Sequence, residues 1–286
     1  MVCDEIKVNL FIGSRDRVTK SNGSVMVSEI NGTKCIEPTF VPKEPWVKLD
    51  NEDYDKLIST NKKKYNDISL VKLPNHLIRT FVRMRINNCI NYNEINFIQH
   101  SEKWTQVIEK TQNYISKWNV NKTTITPHMI YFGKPNLKNN TFNTLENVYI
   151  GMHLDSWEGD PLDSRNNSRN RICINLGKQP RYLLFYNISI KTMAEQINFD
   201  TTINNDVNLI YKNFASKFPE IPIYRLKIEP FEAYIASTEF IIHDGSSWCS
   251  EFPDINLTFR GRFFIKKLNV FKKIFNYLNT NSNYFI

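Results

Sequence analysis

The spacing of apolar residues predicts helices in four stretches of the chain, at residues 74–91, 101–118, 206–218 and 268–278. In the second stretch the apolar positions follow one helical stripe, and Ser101 precedes them as a candidate N-cap. We interpret this stripe as a face that packs on a sheet, not as a cofactor site. The last stretch has lysines opposite its apolar side. We expect it to dock on the body of the domain or on a second subunit rather than on a membrane surface.

Short alternating or continuous apolar runs predict strands, and they dominate the chain from residue 125 onward. The main runs are ITPHMIYFGKP from residue 125, ENVYIGMHLDS from 146, RICINLG from 171, RYLLFYNISI from 181 and YIASTEFIIHDGSS from 234. Only a short turn separates the third run from the fourth, so we predict that these two strands form a hairpin. Before residue 125, the first 45 residues are short extended pieces, and residues 44–60 predict a strand followed by a short helix.

The pattern predicts an α+β protein with a mainly β core, organised as a single domain. Residues 1–124 would be an α/β decoration that packs on the core. Residues 125–265 would form the core, with a helical insertion at about 191–218, and residues 266–286 would form a C-terminal helix. A chain of 286 residues is long enough to bury one substantial core.

A candidate metal site begins in the segment NVYIGMHLDSWEGDPLD, which starts at residue 147. His153 and Asp155 are two residues apart on a predicted strand, so their side chains point to the same face. Fe(II) is commonly bound by two imidazoles and one carboxylate on one face of the ion, which leaves the other positions open. This pattern requires a second histidine downstream. His243, near the end of a later predicted strand, supplies it.

Two arginines follow this histidine on the next predicted strand, DINLTFRGRFFI. Arg260 and Arg262 are two positions apart, so both point to the same face of the strand. A buried arginine near a metal is suited to hold a dicarboxylate through two parallel hydrogen bonds.

This series of residues, in this order and on strands, resembles the Fe(II)- and 2-oxoglutarate-dependent oxygenases over about residues 145–265. The resemblance implies a double-stranded β-helix, which is a distorted, cupin-like jelly roll, with flanking helices. It implies that His153, Asp155 and His243 bind Fe(II) and form the catalytic centre. It also implies that Arg260 or Arg262 pairs with the distal carboxylate of 2-oxoglutarate and that O2 is consumed. Relatives that transfer halide have a small residue in place of the carboxylate, so Asp155 favours hydroxylation or desaturation over halogenation.

The strand from residue 171 contributes one more candidate. Alternation places Arg171, Cys173 and Asn175 on one face of this strand and apolar residues on the other. If the polar face lines the interior of the barrel, Asn175 would hydrogen-bond the co-substrate. If it does not, Asn175 is an edge-strand residue that faces water, and the sequence leaves both interpretations open.

Composition and charge indicate the setting of the protein. Hydrophobic residues make up 41% of the chain and aromatic residues 13%, as in a folded globular protein. The five cysteines are scattered and include no CxxC motif, which predicts free thiols and a cytoplasmic location. No apolar run approaches the roughly 18 residues that a membrane span needs. The net charge of +8 favours anionic partners, but the basic residues are spread along the chain, and we interpret the densest run, at 62–64, as a solvated surface.

The substrate is predicted from the charged loop at residues 155–171. Charges of both signs beside the metal ligands favour an amino acid, a peptide residue or a peptide-derived natural product. The alternative is a solvated loop that forms its own ion pairs. Whether the protein is a homodimer stays open.

Three other classes of protein are compatible with the same residues. A nucleic-acid demethylase would use the same iron site but would need a basic groove and base-flipping aromatic residues, so nucleic acid is the less favoured partner. A non-enzymatic jelly-roll binding protein would not bring His153, Asp155 and His243 together. A Mn(II) or Zn(II) cupin enzyme would share the ligands without needing the arginine.

Overall fold

The computed structural model describes residues 6–30, 32–58, 64–200 and 206–265, with their side chains except those of His128 and Met129. The helix predicted at 268–278 lies outside the described residues. The strands are β1 (Val8–Leu10), β2 (Val18–Lys20), β3 (Ser24–Ile30), β4 (Thr33–Pro42), β5 (Val47–Lys48), β6 (Ile68–Lys72), β7 (Thr126–Gly133), β8 (Phe142–Asn143), β9 (Val148–Tyr149), β10 (Asn170–Asn175), β11 (Arg181–Ser189), β12 (Tyr224–Ile228), β13 (Glu232–Ala236), β14 (Ile241–Ser246) and β15 (Asp254–Gly261). The helices are α1 (Asn51–Leu57), α2 (Asn75–Arg83), α3 (Tyr92–Gln99), α4 (Glu102–Ile115), α5 (Ile190–Gln196) and α6 (Val207–Lys217).

Two sheets form the body of the protein, which confirms the predicted α+β class with mainly β structure. Within the described ranges, one sheet has the strand order β1-β6-β13-β10-β15-β7 and the other β14-β11-β12-β2-β5. Strands β3, β4, β9 and β8 form a smaller third sheet. Side chains of the two large sheets share one buried cluster, in which Leu70 and Tyr234 of the first meet Leu183 and Leu226 of the second. The two sheets are therefore packed face to face.

Helices cover the outer face of the first large sheet. Ser101 caps α4 by accepting a hydrogen bond from the Trp104 backbone, as predicted. The buried stripe of α4 shares a core with Ile172 and Ile174 of β10, the apolar residues of that strand. Because side chains alternate along a strand, Arg171 and Cys173 are turned to the opposite face, between the two sheets.

The outer face of the second large sheet is covered by α5 and α6, which follow β11 in the predicted helical insertion. Tyr186 of β11 lies beside Tyr211 and Phe214 of α6 in one apolar cluster. Residues before 125 supply strands to both sheets, because β1 and β6 extend the first sheet and β2 and β5 extend the second.

Three predictions of local structure are wrong. The strand predicted from residue 146 is limited to β9, and beyond it His153 forms only an isolated backbone bridge. The helix predicted at 74–91 ends earlier, because Arg85 adopts a left-handed conformation with φ of 57°, and α3 follows as a separate helix. The predicted hairpin after residue 171 is not formed, because β10 and β11 belong to different sheets. The Asn175 side chain shapes this crossing: its amide donates to the carbonyl oxygens of Gln179 and Ile228, and its oxygen accepts from the Gly177 backbone.

Candidate metal centre

His153, Asp155 and His243 are brought together by backbone pairing. His153 and His243 exchange two backbone hydrogen bonds, of 3.0 and 2.8 Å, and their ring centroids are 4.7 Å apart. The Asp155 backbone N–H donates to the carbonyl oxygen of Thr238 at 3.0 Å, next to the start of the strand that contains His243. One potential ligand atom from each of the three side chains lies within 4.8 Å of the others. The predicted cluster is therefore present as a spatial group.

The two imidazoles are oriented by backbone carbonyl groups. His153 Nδ1 lies 2.8 Å from the Gly151 carbonyl oxygen, and His243 Nδ1 lies 3.2 Å from that of Ile241. A carbonyl oxygen can only accept, so Nδ1 bears the hydrogen in both rings and Nε2 keeps its lone pair. Both Nε2 atoms face Asp155, at 3.5 and 3.8 Å from its carboxylate oxygens. Such orientation by a second hydrogen bond is typical of metal-binding histidines.

The charges in the cluster also suit a metal ion. Burial would raise the pKa of Asp155, but the positive charge of Arg171 and the neighbouring histidines hold this pKa well below its usual range, so the carboxylate is ionised. Burial holds the pKa of His243 well below its usual range, so its imidazole is neutral. Burial would also lower the pKa of His153, but the nearby carboxylates of Asp155 and Asp244 and the Gly151 carbonyl oxygen together outweigh burial, and the net shift is upward.

The donor atoms of the three side chains are also suitable for a metal ion. Asp155 Oδ2 is buried and has no hydrogen-bond partner of good geometry within the described part of the chain. It does lie 3.1 Å from Arg171 Nη1, as an ion pair. An ionised oxygen buried this way needs a neighbouring cation, a role that Arg171 fills here and that a bound metal ion would also fill. Two imidazole nitrogens and one carboxylate oxygen fit a divalent transition metal of the Fe(II) type.

A cavity of about 590 Å³ opens beside the cluster, with walls from both large sheets. Arg171 and Cys173 line it, so the polar face of β10 does face the interior. Neutral polar and aromatic side chains supply much of the remaining wall; they are Asn140, Thr141, Thr144, Asn256, Thr258, Tyr131, Phe142, Trp157 and Tyr234. The volume is large enough for a small organic acid together with part of a second molecule.

Arg181 forms part of the same wall and is held by Asp254. Its Nε and Nη2 donate to the two Asp254 carboxylate oxygens at 2.9 and 3.2 Å, and its Nη1 donates to Cys173 Sγ at 3.3 Å. Burial would lower the pKa of Arg181, but Asp254 raises it well above its usual value, so the guanidinium stays charged. Gly245 lies beside it: a Cβ added there would come within 2.9 Å of Arg181 Nη2. The missing side chain of Gly245 leaves room next to a fixed positive charge.

The other predicted site residues lie elsewhere. Arg260 contacts Glu158 and Glu239, with its Nη2 at 2.8 Å from Glu239 Oε1, and its guanidinium lies over the Trp157 ring. Arg262 follows β15, and its backbone pairs with Asn119 and Val120. Neither arginine lines the cavity.

Asn175 matches neither interpretation that the sequence left open. It is only 1% exposed, so it does not face water, and its amide groups bind backbone atoms at the crossing between the sheets. It does not line the cavity.

The loop after Asp155 is held by its own ion pairs. Arg165 is buried and donates from Nη1 to the Asp155 carbonyl oxygen at 3.2 Å and from Nη2 to Ser156 Oγ at 3.1 Å. Glu158 pairs with Arg169 at 2.7 Å and also with Arg260. These contacts agree with the alternative interpretation, in which the charged side chains of the loop form ion pairs within the protein.

Two arginines of the cavity were not predicted as site residues. Arg171 was placed by alternation on the polar face of its strand, and this signal could have identified it. Arg181 precedes a run of mainly apolar residues at the start of β11, and the sequence around it contains no comparable signal.

Comparisons with known proteins give one group of similar structures. No protein-family model matches the sequence, and no curated protein matches it. Three solved structures of the Kdo hydroxylase KdoO, a non-heme Fe(II) α-ketoglutarate-dependent dioxygenase, are similar to this chain over 69% of its length and 80% of theirs. They are the complexes with cobalt(II), with succinate and Fe(III), and with α-ketoglutarate and Fe(III), at TM-scores of 0.39, 0.38 and 0.35 and identities of 8%, 9% and 8%.

No helix in the described residues is long and apolar enough to cross a membrane. The described cysteines, Cys35, Cys89, Cys173 and Cys249, are free thiols. The non-enzymatic interpretation in which the two histidines and Asp155 lie apart is wrong, because these side chains form one cluster.

Proposed function

We propose that this chain is an Fe(II)- and 2-oxoglutarate-dependent oxygenase that hydroxylates a C–H bond of a small molecule or a peptide residue. The observation that supports this most directly is the convergence of His153, Asp155 and the buried His243 beside a cavity of about 590 Å³, which His153 and Asp155 line. The sheet orders support the finer fold assignment. Strands β13-β10-β15-β7 face β14-β11-β12, and the two histidines pair at the edge of the second sheet, an arrangement compatible with a double-stranded β-helix.

The proposed chemistry divides between the metal and the chain. Bound Fe(II) would supply oxygen activation, in which 2-oxoglutarate and O2 are converted to succinate and CO2 while the substrate C–H becomes C–OH. The two imidazole Nε2 atoms and the Asp155 carboxylate would hold the metal. Backbone carbonyl groups fix the tautomers of both rings, and Arg165 fixes the Asp155 backbone. The cavity walls would exclude water and orient the substrate.

We further propose that Arg181 anchors the distal carboxylate of 2-oxoglutarate. It is buried and charged, and it has more N–H groups than its three contacts use. The space beside Gly245 makes Nη2 accessible from the cavity. Arg260 or Arg262, the sequence-based candidates, would have to move into the cavity. For Arg260 this would break its contacts with Glu158 and Glu239.

Replacement of each arginine tests this assignment. We expect Arg181→Met to weaken 2-oxoglutarate binding by at least about tenfold, because a charged carboxylate partner contributes about 1.5–3 kcal/mol. Arg260→Met should change the affinity by less than about threefold. The measurement is an anaerobic titration of the Fe(II)-loaded protein with 2-oxoglutarate, followed by the weak visible charge-transfer band of the chelate. The reverse order of effects would return the role to Arg260.

The substrate class has two candidates. An amino acid or peptide residue was favoured by the charged loop. Its ammonium group would need a carboxylate, but Asp155 is the sole carboxylate among the described residues that line the cavity, and Glu158 and Glu239 are paired with Arg260. The neutral polar groups and aromatic faces of the wall instead favour a hydroxyl-rich compound such as a sugar. We therefore keep both classes as proposals.

The proposed function is tested in two steps. The wild-type protein should develop the charge-transfer band when Fe(II) and 2-oxoglutarate are added without oxygen. It should then form succinate from 2-oxoglutarate in air, faster when a matching substrate is present. Free amino acids, short peptides, sugars and sugar acids, and methylated single-stranded oligonucleotides form the panel. If no band forms and no succinate appears, the oxygenase assignment is overturned, and a cupin-type enzyme using another metal becomes the better explanation.

A further inference from the structure

Arg171 contacts two of the atoms that the proposed metal ion would use. Its Nη2 lies 2.7 Å from His243 Nε2, and its Nη1 lies 3.1 Å from Asp155 Oδ2. The residue is fixed in the middle of the first sheet, where its backbone pairs with Ala236 of β13 on one side and Arg260 of β15 on the other. The contact is therefore made by a side chain that projects from a rigid strand.

A guanidinium and a metal ion exclude one another at His243. Because Nδ1 of this ring bears the hydrogen, Nε2 offers a single lone pair, which accepts the hydrogen bond from Arg171. A metal ion at the same nitrogen would require Arg171 to withdraw. The guanidinium and the metal ion would also repel each other strongly, because the site is buried. Arg171 is thus a competitor of the metal, although the same residue stabilises the ionised form of Asp155.

The cavity provides space into which the Arg171 side chain can move. The side chain is 20% exposed and forms part of the cavity wall, beside the space assigned above to the organic acid. A guanidinium released from His243 would meet a carboxylate there and could pair with it.

We propose that Arg171 is a positioning residue that couples metal binding to carboxylate binding: it competes with the metal for His243 and Asp155 until an organic acid beside the metal takes up its guanidinium. This inference rests on the proposed function, because the acid is the proposed co-substrate. If Arg171 only balanced the charge of Asp155, its removal would not tighten Co(II) binding, and the effect that 2-oxoglutarate has on metal binding through chelation would be unchanged.

The test is Co(II) binding measured by calorimetry without oxygen chemistry, with and without saturating 2-oxoglutarate. The variants are Arg171→Met, which removes the competing cation at similar length, and Arg171→Lys, whose single ammonium cannot hold both atoms. Arg169→Met is the matched control, since Arg169 is on the same segment but pairs with Glu158. Circular dichroism and thermal unfolding of each variant, with and without Co(II), verify that it folds.

We expect Arg171→Met to bind Co(II) alone about tenfold more tightly than the wild type, within the usual range of coupling between sites. Addition of 2-oxoglutarate should tighten Co(II) binding about tenfold in the wild type and in Arg169→Met, and clearly less in Arg171→Met. Co(II) should also raise the unfolding temperature more in Arg171→Met than in the wild type. If Arg171→Met does not fold, Arg171→Lys is measured instead. Its affinity for Co(II) alone should exceed that of the wild type, by less than about tenfold.

Two results overturn the inference, and they are distinguishable. Equal or weaker Co(II) binding by a folded Arg171 variant, with the effect of 2-oxoglutarate retained, contradicts the coupling and leaves the oxygenase assignment intact. Failure of the wild type to bind Co(II) under either condition removes the metal site itself, and the proposed function falls with the inference.

Discussion

His243→Ala is expected to abolish metal-dependent activity and to weaken Fe(II) or Co(II) binding by more than about 100-fold. The loss should exceed the roughly 10–100-fold cost of removing an outer partner of a metal ligand, because in the proposed site His243 would supply a ligand atom directly. The side chain is 1% exposed, and its Nε2 faces Asp155. No other described side chain is placed to replace it in the cluster. Calorimetric titration with Co(II) and succinate formation from 2-oxoglutarate measure the two losses.

The matched control for this variant is His100→Ala. His100 is exposed and near the end of α3, where its ring contacts the Asn96 carbonyl oxygen. Its removal should leave both metal affinity and succinate formation unchanged. Wild-type metal affinity in a folded His243→Ala variant would show that the cluster is not the metal site. Loss of activity in both variants would indicate a general loss of folded protein.

The cluster of His153, Asp155 and His243 was predictable because one pair is local. His153 and Asp155 share a face wherever the segment is extended, and this follows from strand geometry alone. His243 was identified by its order in the chain and by its place at the end of an apolar run. The structure adds what the pattern could not contain, namely that the two histidines exchange backbone hydrogen bonds directly.

There is a physical reason why the sequence could not show which arginines line the cavity. Alternation gives the face of a strand, but a long side chain reaches toward whichever partner the rest of the fold supplies. Arg260 meets Glu239 and Glu158, which belong to distant parts of the chain. Arg171 and Arg181 meet Asp155 and Asp254 in the same way. These partners are fixed only when the two sheets pack.

The missed crossing after β10 has a similar origin. A strand has the same apolar pattern whether it pairs with the next strand or faces it across a core. The short connection favoured a hairpin, and the deciding contacts come from Asn175, whose amide reaches the Ile228 carbonyl oxygen at the end of β12. A contact across 53 residues is not visible in local sequence.

Asp254→Leu is expected to destabilise the protein by about 3–5 kcal/mol, which is the usual cost of removing one partner of a buried ion pair. Asp254 is 4% exposed and Arg181 is 6% exposed, and two hydrogen bonds join them. Without the carboxylate, the Arg181 guanidinium would be buried and uncompensated, and Asn140 Nδ2 would lose its acceptor. Urea denaturation followed by circular dichroism measures the change. The surface variant Glu44→Ala, which breaks the pair with Lys138, should cost no more than about 1 kcal/mol.

The double variant Arg181→Met/Asp254→Leu separates the stability of this pair from its proposed role in binding. Replacement of both charges by apolar side chains of similar size should recover most of the lost stability, because no buried charge is left unpaired. The protein should then fold and bind Co(II) at His153, Asp155 and His243. It should still fail to bind 2-oxoglutarate tightly, because the proposed carboxylate anchor is gone. A stable double variant with wild-type 2-oxoglutarate affinity would assign Arg181 and Asp254 to structure alone and would require another anchor in the cavity.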